Sequence, residues 1–184
     1  MKKNLLFVFA CAFAFANEIV YSDVVKSLYA DKSDKKAIGR LLPTAPVEIL
    51  EKDGDMLKIK IEGYIQDDVS EAIYFSEGKR ILNAAFGKNA AVDVKVLEKG
   101  AWSKVSVEAY TDDKDFYKEL KPIMDRAASI YTESCSMCHA LHNINEYNAN
   151  QWPSILKSML SRTVMDKKDR FLVSQYLQKT TTKE

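Results

Sequence analysis

Two stretches of this chain are near copies of each other, and they constrain its fold more than any other feature. Val47-Glu48-Ile49-Leu50-Glu51-Lys52 is echoed by Val94-Lys95-Val96-Leu97-Glu98-Lys99. Each copy leads to a glycine, Gly54 or Gly100, and then to an alternating run over 57–62 or 103–108. Each ends in a tyrosine and an acidic pair, Tyr64 with Asp67-Asp68 and Tyr110 with Asp112-Asp113. Strict alternation puts every second side chain on one face, and a glycine between two such runs closes a tight turn, so each copy reads as a β-hairpin half buried on one face. A repeat spacing of about 46 residues predicts two small barrels in tandem, over 17–68 and 69–113. Lys26-Ser27-Leu28-Tyr29-Ala30 and Ile38-Gly39-Arg40-Leu41-Leu42-Pro43 add two short strands to the first copy.

Beyond the polar boundary Asp112-Asp113-Lys114-Asp115 the pattern changes. From Phe116, apolar residues at Leu120, Ile123, Ala127 and Ile130-Tyr131 recur at helical spacing,. Pro122 fits the first turn of that helix or a kink in it. A second helix is expected from Asn150, which can cap it, with Pro153 in its first turn and Ile155, Leu156, Met159 and Leu160 along it. A third is expected after Asp166, carrying Phe171, Leu172 and Tyr176-Leu177, and the tail from Lys179 reads as polar and frayed. The expected architecture is α+β: small β-barrels followed by a helical domain over 114–184.

The N-terminus carries an address. Lys2 and Lys3 precede an unbroken apolar run over 5–15, and Ala14-Phe15-Ala16 offers small residues where signal peptidase needs them. This reads as a secretion signal over 1–16, too short to cross a hydrocarbon core of about 30 Å as a helix. No later stretch is long and apolar enough, so the mature chain is expected to lack a membrane span and to reside in the periplasm. A formal net charge of +1 gives no electrostatic argument for nucleic acid as a partner,. Of the three cysteines, Cys11 leaves with the signal.

The remaining two stand in Cys135-Ser136-Met137-Cys138-His139. As a disulfide this pair closes too small a loop to constrain the unfolded chain much. As C-x-x-C-H it is the attachment signal for haem c. Thiols three apart on one helical turn reach the two vinyl groups along one porphyrin edge, and the next residue, His139, brings its imidazole under the iron. A closed zinc site lacks ligands, since a tetrahedral site needs four, and a redox dithiol normally follows a strand, not a helix. His142 lies one turn after His139 on the same side, so it is an unsuitable distal ligand and reads as an exposed or propionate-side residue. A methionine is expected instead. Met159, on an amphipathic helix after the motif, is the first choice and Met165 its rival; Met137 and Met124 read as core. Trp152, two turns before Met159, is expected to pack on the haem edge and keep water from the iron.

The early segment, with its LYA, IGRLLP and VEILEKDGDMLKI stretches, resembles the bacterial SH3-like family, which implies a five-stranded, partly open barrel. The helical part is similar to class I cytochrome c. A longer likeness covers nearly all the mature chain. IYTESCSMCHAL, NANQWPSILKSML and DRFLVSQYLQ, together with the SH3-like region, look like the C-terminal monohaem part of the pentahaem cytochromes that serve trimethylamine N-oxide and dimethyl sulfoxide reductases. The resemblance implies an electron-transfer protein rather than an enzyme. It also implies a quinol dehydrogenase or another cytochrome as donor, and a periplasmic molybdenum reductase as acceptor. The family's membrane-anchored tetrahaem domain has no counterpart in this sequence. A haem-based binder of small ligands is the alternative, as is a general soluble shuttle.

Overall fold

The computed structural model describes residues 18–67, 69–137, 140–166 and 168–184; the segment read as a secretion signal lies outside them. The two repeated runs do form hairpins. β4 (Val47–Asp53) pairs antiparallel with β5 (Met56–Gln66), and β8 (Val94–Glu98) pairs antiparallel with β9 (Trp102–Asp112). Yet the hairpins do not close on themselves. β5 lies antiparallel to β9 along its whole length, from Met56 opposite Asp112 to Gln66 opposite Trp102. β9 therefore fills one edge of β5, while β4 and β6 (Ala72–Ser76) share the other.

The remaining strands extend this ladder. β1 (Ile19–Ser22) joins β4 and β10 (Phe116–Tyr117), and β7 (Lys79–Phe86) joins β6 and β3 (Gly39–Leu41). β3 in turn pairs with β2 (Lys26–Leu28). Together they make one 10-stranded sheet among the described residues. The sheet curls into a half-barrel, because the amide and carbonyl of Tyr29 bond reciprocally to those of Tyr110 at 2.8 and 2.9 Å and carry the end of β2 round to β9. Gly63 permits the closest approach: a Cβ there would stand 2.4 Å from the carbonyl oxygen of Tyr74 and 2.6 Å from Cγ2 of Ile73. Only glycine lets β6 cross so near.

Two barrels followed by an all-α cytochrome domain of the class I type is thus not the architecture. The described residues are mostly β, with three short α-helices. The physical reason lies in β5, whose alternating Leu57, Ile59 and Ile61 face the same core as Val105, Val107 and Ala109 of β9. Each copy offers one apolar face, and pairing the two copies buries more of it than closing each alone. Phe116, read as the first helical residue, instead belongs to a two-residue strand against Ser22.

The helices are α1 (Leu120–Cys135), α2 (Trp152–Met159) and α3 (Asp169–Thr180), of 16, 8 and 12 residues. Pro122 stands in the first turn of α1, where its missing N–H costs nothing,. α3 crosses α1 and lies on the sheet beside β7. Its sheet-facing side chains are polar and satisfy strand and loop carbonyls. The Gln175 amide donates to the Leu82 carbonyl at 2.9 Å, and that of Gln178 to the Ala149 carbonyl at 2.8 Å. Lys179 Nζ donates to both the carbonyl and Oγ1 of Thr44 at 2.9 Å and lies 4.3 Å from the centre of the Phe75 ring. Thr44 itself is held at φ 63°, a left-handed conformation rare for a β-branched residue,. The C-terminal tail is likewise tied down rather than frayed. Thr181 Oγ1 donates to the Tyr147 carbonyl and the Thr182 amide to Asn145 Oδ1, both at 2.8 Å.

Burial with only neutral acceptors pushes the Lys179 ammonium down to about 7. Between that value and the ordinary lysine value the unfolded chain binds more protons than the native one, so native stability rises with pH across that window and is flat in this respect below it. The urea midpoint, followed by far-ultraviolet circular dichroism, is expected to climb from pH 7 to pH 10 in the wild type. In Lys179→Met that climb is lost.

Candidate functional site

The end of α1 carries the first half of the attachment motif. Its apolar positions Ile123, Ala127, Tyr131 and Cys135 recur every four residues, so one stripe of the helix is buried and the thiol lies at its end,. Cys138 and His139 lie outside the described residues. The Cys135 thiol is buried and, among the described residues, forms no disulfide. Burial pushes its pKa up, so it stays protonated at neutral pH,.

Around it the fold gathers aromatic and branched side chains. Tyr131, Trp152, Leu156, Val173 and Leu177 form one cluster with Cys135. Trp152 has no exposed surface, and its indole N–H donates to the Ile144 carbonyl at 3.0 Å. Tyr131 meets the indole edge-on, with centroids 6.3 Å apart, and Tyr147 does the same from another side at 5.1 Å. The Tyr131 hydroxyl donates to the His142 carbonyl at 2.9 Å, and burial raises its pKa to about 12. The His142 ring lies against Tyr147, and its Nδ1 lies 2.8 Å from a Glu146 carboxylate oxygen, which holds that carboxyl below its usual range.

Of the residues singled out in the sequence, Cys135, Trp152 and Met165 meet in this cluster. Met159 closes α2, half-buried, two turns from Trp152, and is not among the side chains packed on the cluster. Asn150 does not cap α2. Its side-chain oxygen instead accepts from the Arg80 amide at 2.7 Å, fastening the turn before α2 to β7. The Asn148 Oδ1 instead caps the turn that leads into α2, accepting from the Asn150 and Gln151 amides at 3.1 and 3.0 Å. Sequence reasoning missed Tyr131 as a polar contributor. The signal was there: a tyrosine one turn before the first cysteine, on the buried stripe, needs a partner for its hydroxyl.

These surroundings fit a thioether-held porphyrin. Its macrocycle needs apolar and aromatic walls, its vinyl groups need a thiol not already paired, and its iron needs a soft or imidazole donor nearby. Cys135 meets the second need and the cluster meets the first, while Met159 ends α2 and Met165 lies in the loop before α3.

Comparison with known proteins agrees on the class. The chain is 34% identical over 171 residues to the cytochrome c-type protein TorC of Escherichia coli K12, covering 89% of this chain and 44% of TorC. It is 29% identical over 154 residues to the cytochrome c-type protein TorY of Haemophilus influenzae, covering 80% of this chain and 42% of that relative. The chain thus spans less than half the length of these relatives. A contiguous match of the TorC extent necessarily includes positions 135–139. The class is that of c-type cytochromes.

A family model, that of the TorC third cytochrome c domain, matches residues 15–116. The chain belongs to that family. The matched residues contain no cysteine, so the family signature lies in the β-sheet rather than in the attachment motif. No solved structure matches the chain. No helix among the described residues is long and apolar enough to cross a membrane.

The buried thiol makes a direct prediction. In the haem-free Cys138→Ser chain at pH 8, Cys135 is expected to react with iodoacetamide about tenfold more slowly than in the same chain unfolded by urea, because only the exposed thiolate reacts. Mass spectrometry of quenched samples measures both rates.

Proposed function

We propose that this chain is a periplasmic electron carrier holding one haem c through thioethers to Cys135 and Cys138, with His139 as proximal ligand and Met159 as distal ligand. The observation that carries the reading is the unpaired, buried Cys135 thiol at the end of α1, walled by Tyr131, Trp152, Leu156, Val173 and Leu177. When bound, the iron accepts and releases one electron without making or breaking a covalent bond to substrate. The protein would hold the group through His139 and Met159 and enclose it in an apolar shell, which would keep reorganisation small and set the potential.

Position supports Met159, which shares a helix face with Trp152 at the end of α2; Met165, which packs on the cluster that holds Cys135, is the rival. Trp152, fully buried in the cluster, would pack on the haem edge.

For partners we adopt the reading that the family likeness supports. Electrons arrive from a quinol-derived donor, through a quinol dehydrogenase or another cytochrome, and leave to a terminal molybdenum reductase of N-oxides or S-oxides. A surface feature favours an acidic acceptor. α2 and α3 leave a cleft of about 290 Å³ floored by Leu156, Leu160 and Phe171, with Lys157 and Arg170 on its rim. Neither cation has a carboxylate partner among the described residues, Arg170 lying instead over the Phe171 ring at 4.8 Å. Unpaired cations at an apolar cleft steer and then seat a partner bearing carboxylates.

Chain exported with a haem-maturation system is expected to show one porphyrin's added mass and a Soret band; absence of both sinks the proposal. Its oxidised spectrum is expected to carry the weak far-red sulfur-to-iron band. Met159→Ala abolishes that band and Met165→Ala keeps it; the reverse pattern moves the distal ligand to Met165. In stopped flow, a purified trimethylamine N-oxide reductase is expected to oxidise the reduced cytochrome several-fold faster at low salt than at high salt. No transfer at either salt overturns the assigned acceptor and leaves the carrier role intact.

A further inference from the structure

Phe171, in the first turn of α3, carries two guanidinium groups on one ring. That of Arg170 lies 4.8 Å from the ring centre, and that of Arg40, on β3, lies 5.5 Å from it. The two charges are therefore no more than about 10 Å apart. Stacking on an aromatic ring holds a guanidinium in place but does not neutralise it.

Elsewhere this fold neutralises a guanidinium that ties elements together. Arg126 of α1 bonds at 2.8 Å to Asp23, between β1 and β2, and at 2.8 Å to Asp169 of α3. The acidic neighbours of Arg170 are committed in the same way. Asp169, immediately before it, turns to Arg126, and Asp166 lies 3.9 Å from Lys168. Among the described residues Arg40, Lys157 and Arg170 have no carboxylate partner, and all three are exposed. Like charges gathered round one ring repel each other, and no side chain of the described residues relieves them. The same ring lines the cleft of about 290 Å³ whose other apolar walls are Pro153, Leu156 and Leu160.

We propose that the sheet takes part in recognising the acceptor: Arg40 of β3 joins Arg170 and Lys157 in seating an acidic segment of the partner, while an aliphatic side chain of that segment enters the cleft. The inference rests on the acidic-acceptor reading above and adds to it a contribution from the sheet. Charge and spacing both argue for this occupant. Carboxylates two residues apart on an extended segment stand about 7 Å apart, within the span between the two guanidiniums, and an apolar side chain beside them finds apolar walls. No single element carries the three cations, so the surface exists only where β3, α2 and α3 are docked together. The half-barrel is then a recognition element as well as a support.

The test titrates the isotope-labelled full chain with a capped six-residue peptide of aspartates and glutamates around one leucine, followed by amide chemical shifts. Shifts are expected at Arg40 and Leu41 of β3 together with 156–160 and 170–174, and they are expected to vanish when the acidic residues are replaced by their amides. Absence of binding overturns the proposal, as do shifts confined to the helices. Arg40→Gln is expected to weaken binding about threefold, the scale of one exposed charge, whereas Lys95→Gln, which removes a cation from β8, leaves it unchanged. Arg40→Lys keeps the charge without the planar stack and is expected to bind close to wild type. Equal losses in Arg40→Gln and Arg40→Lys assign the residue to docking α3 rather than the partner and overturn the proposal, as does wild-type affinity in Arg40→Gln. With purified trimethylamine N-oxide reductase in stopped flow, Arg40→Gln is expected to slow transfer at low salt by the same factor and to leave the high-salt rate unchanged. A wild-type protein that passes no electron to the reductase at either salt fails the acceptor reading, and the peptide titration still decides the role of Arg40.

Discussion

The structure depends on α3 having two working faces. One face sends Gln175, Gln178 and Lys179 into the carbonyls of Leu82, Arg80, Ala149 and Thr44. The other places Val173 and Leu177 in the cluster that surrounds Cys135. A helix of 12 residues has too little surface to be stable alone,. Here it is held by the sheet, and the sheet thereby holds the thiol. Remove the polar face and the cluster loses one wall. Remove the apolar face and the helix remains docked against strands with nothing to enclose.

That arrangement explains why the polar residues of α3 escaped a sequence reading while its apolar ones did not. Leu172 and Tyr176-Leu177 recur at helical spacing and announce a buried stripe. Gln175 and Gln178 look like solvent-facing residues, yet both are buried. Their burial is tolerable because each amide finds backbone oxygens left over by the strands and the loop before α2, the condition under which a polar side chain enters a core at little cost. No local pattern encodes the presence of those oxygens. The same holds for Asn150, which sits where a cap belongs but is claimed by the Arg80 amide some 70 positions earlier in the chain.

The sheet shows a parallel division. Both hairpins were legible, since their alternation, glycine turns and acidic ends are local properties of the chain. What was not legible was their union. β5 and β9 pair across dozens of intervening residues, and an alternating run carries no mark of which other alternating run it will join,. Repetition argued for two small barrels in tandem; the apolar faces were instead better covered by each other. Among the candidate site residues, Cys135 and Trp152 were visible from spacing alone. Tyr131 was visible as an apolar position but not as a donor, because its acceptor is a backbone carbonyl in a loop without regular structure.

The family signature falls on the β-sheet, over 15–116, and the attachment motif falls outside it. This division has a physical sense. A helical segment of about 70 residues buries too little surface to stand without its prosthetic group or some other staple. Docked on a half-barrel whose core of Leu28, Leu41, Ile59, Ile61, Ile73, Val105 and Val107 owes nothing to the helices, it need not be self-sufficient. The sheet has a core of its own, and the attachment motif falls in the helical segment docked on it. Half-buried Met159 and the exposed Lys157 and Arg170 lie outside the clusters that hold the helices together. A cytochrome domain that had to build its whole core around the porphyrin could not leave them so.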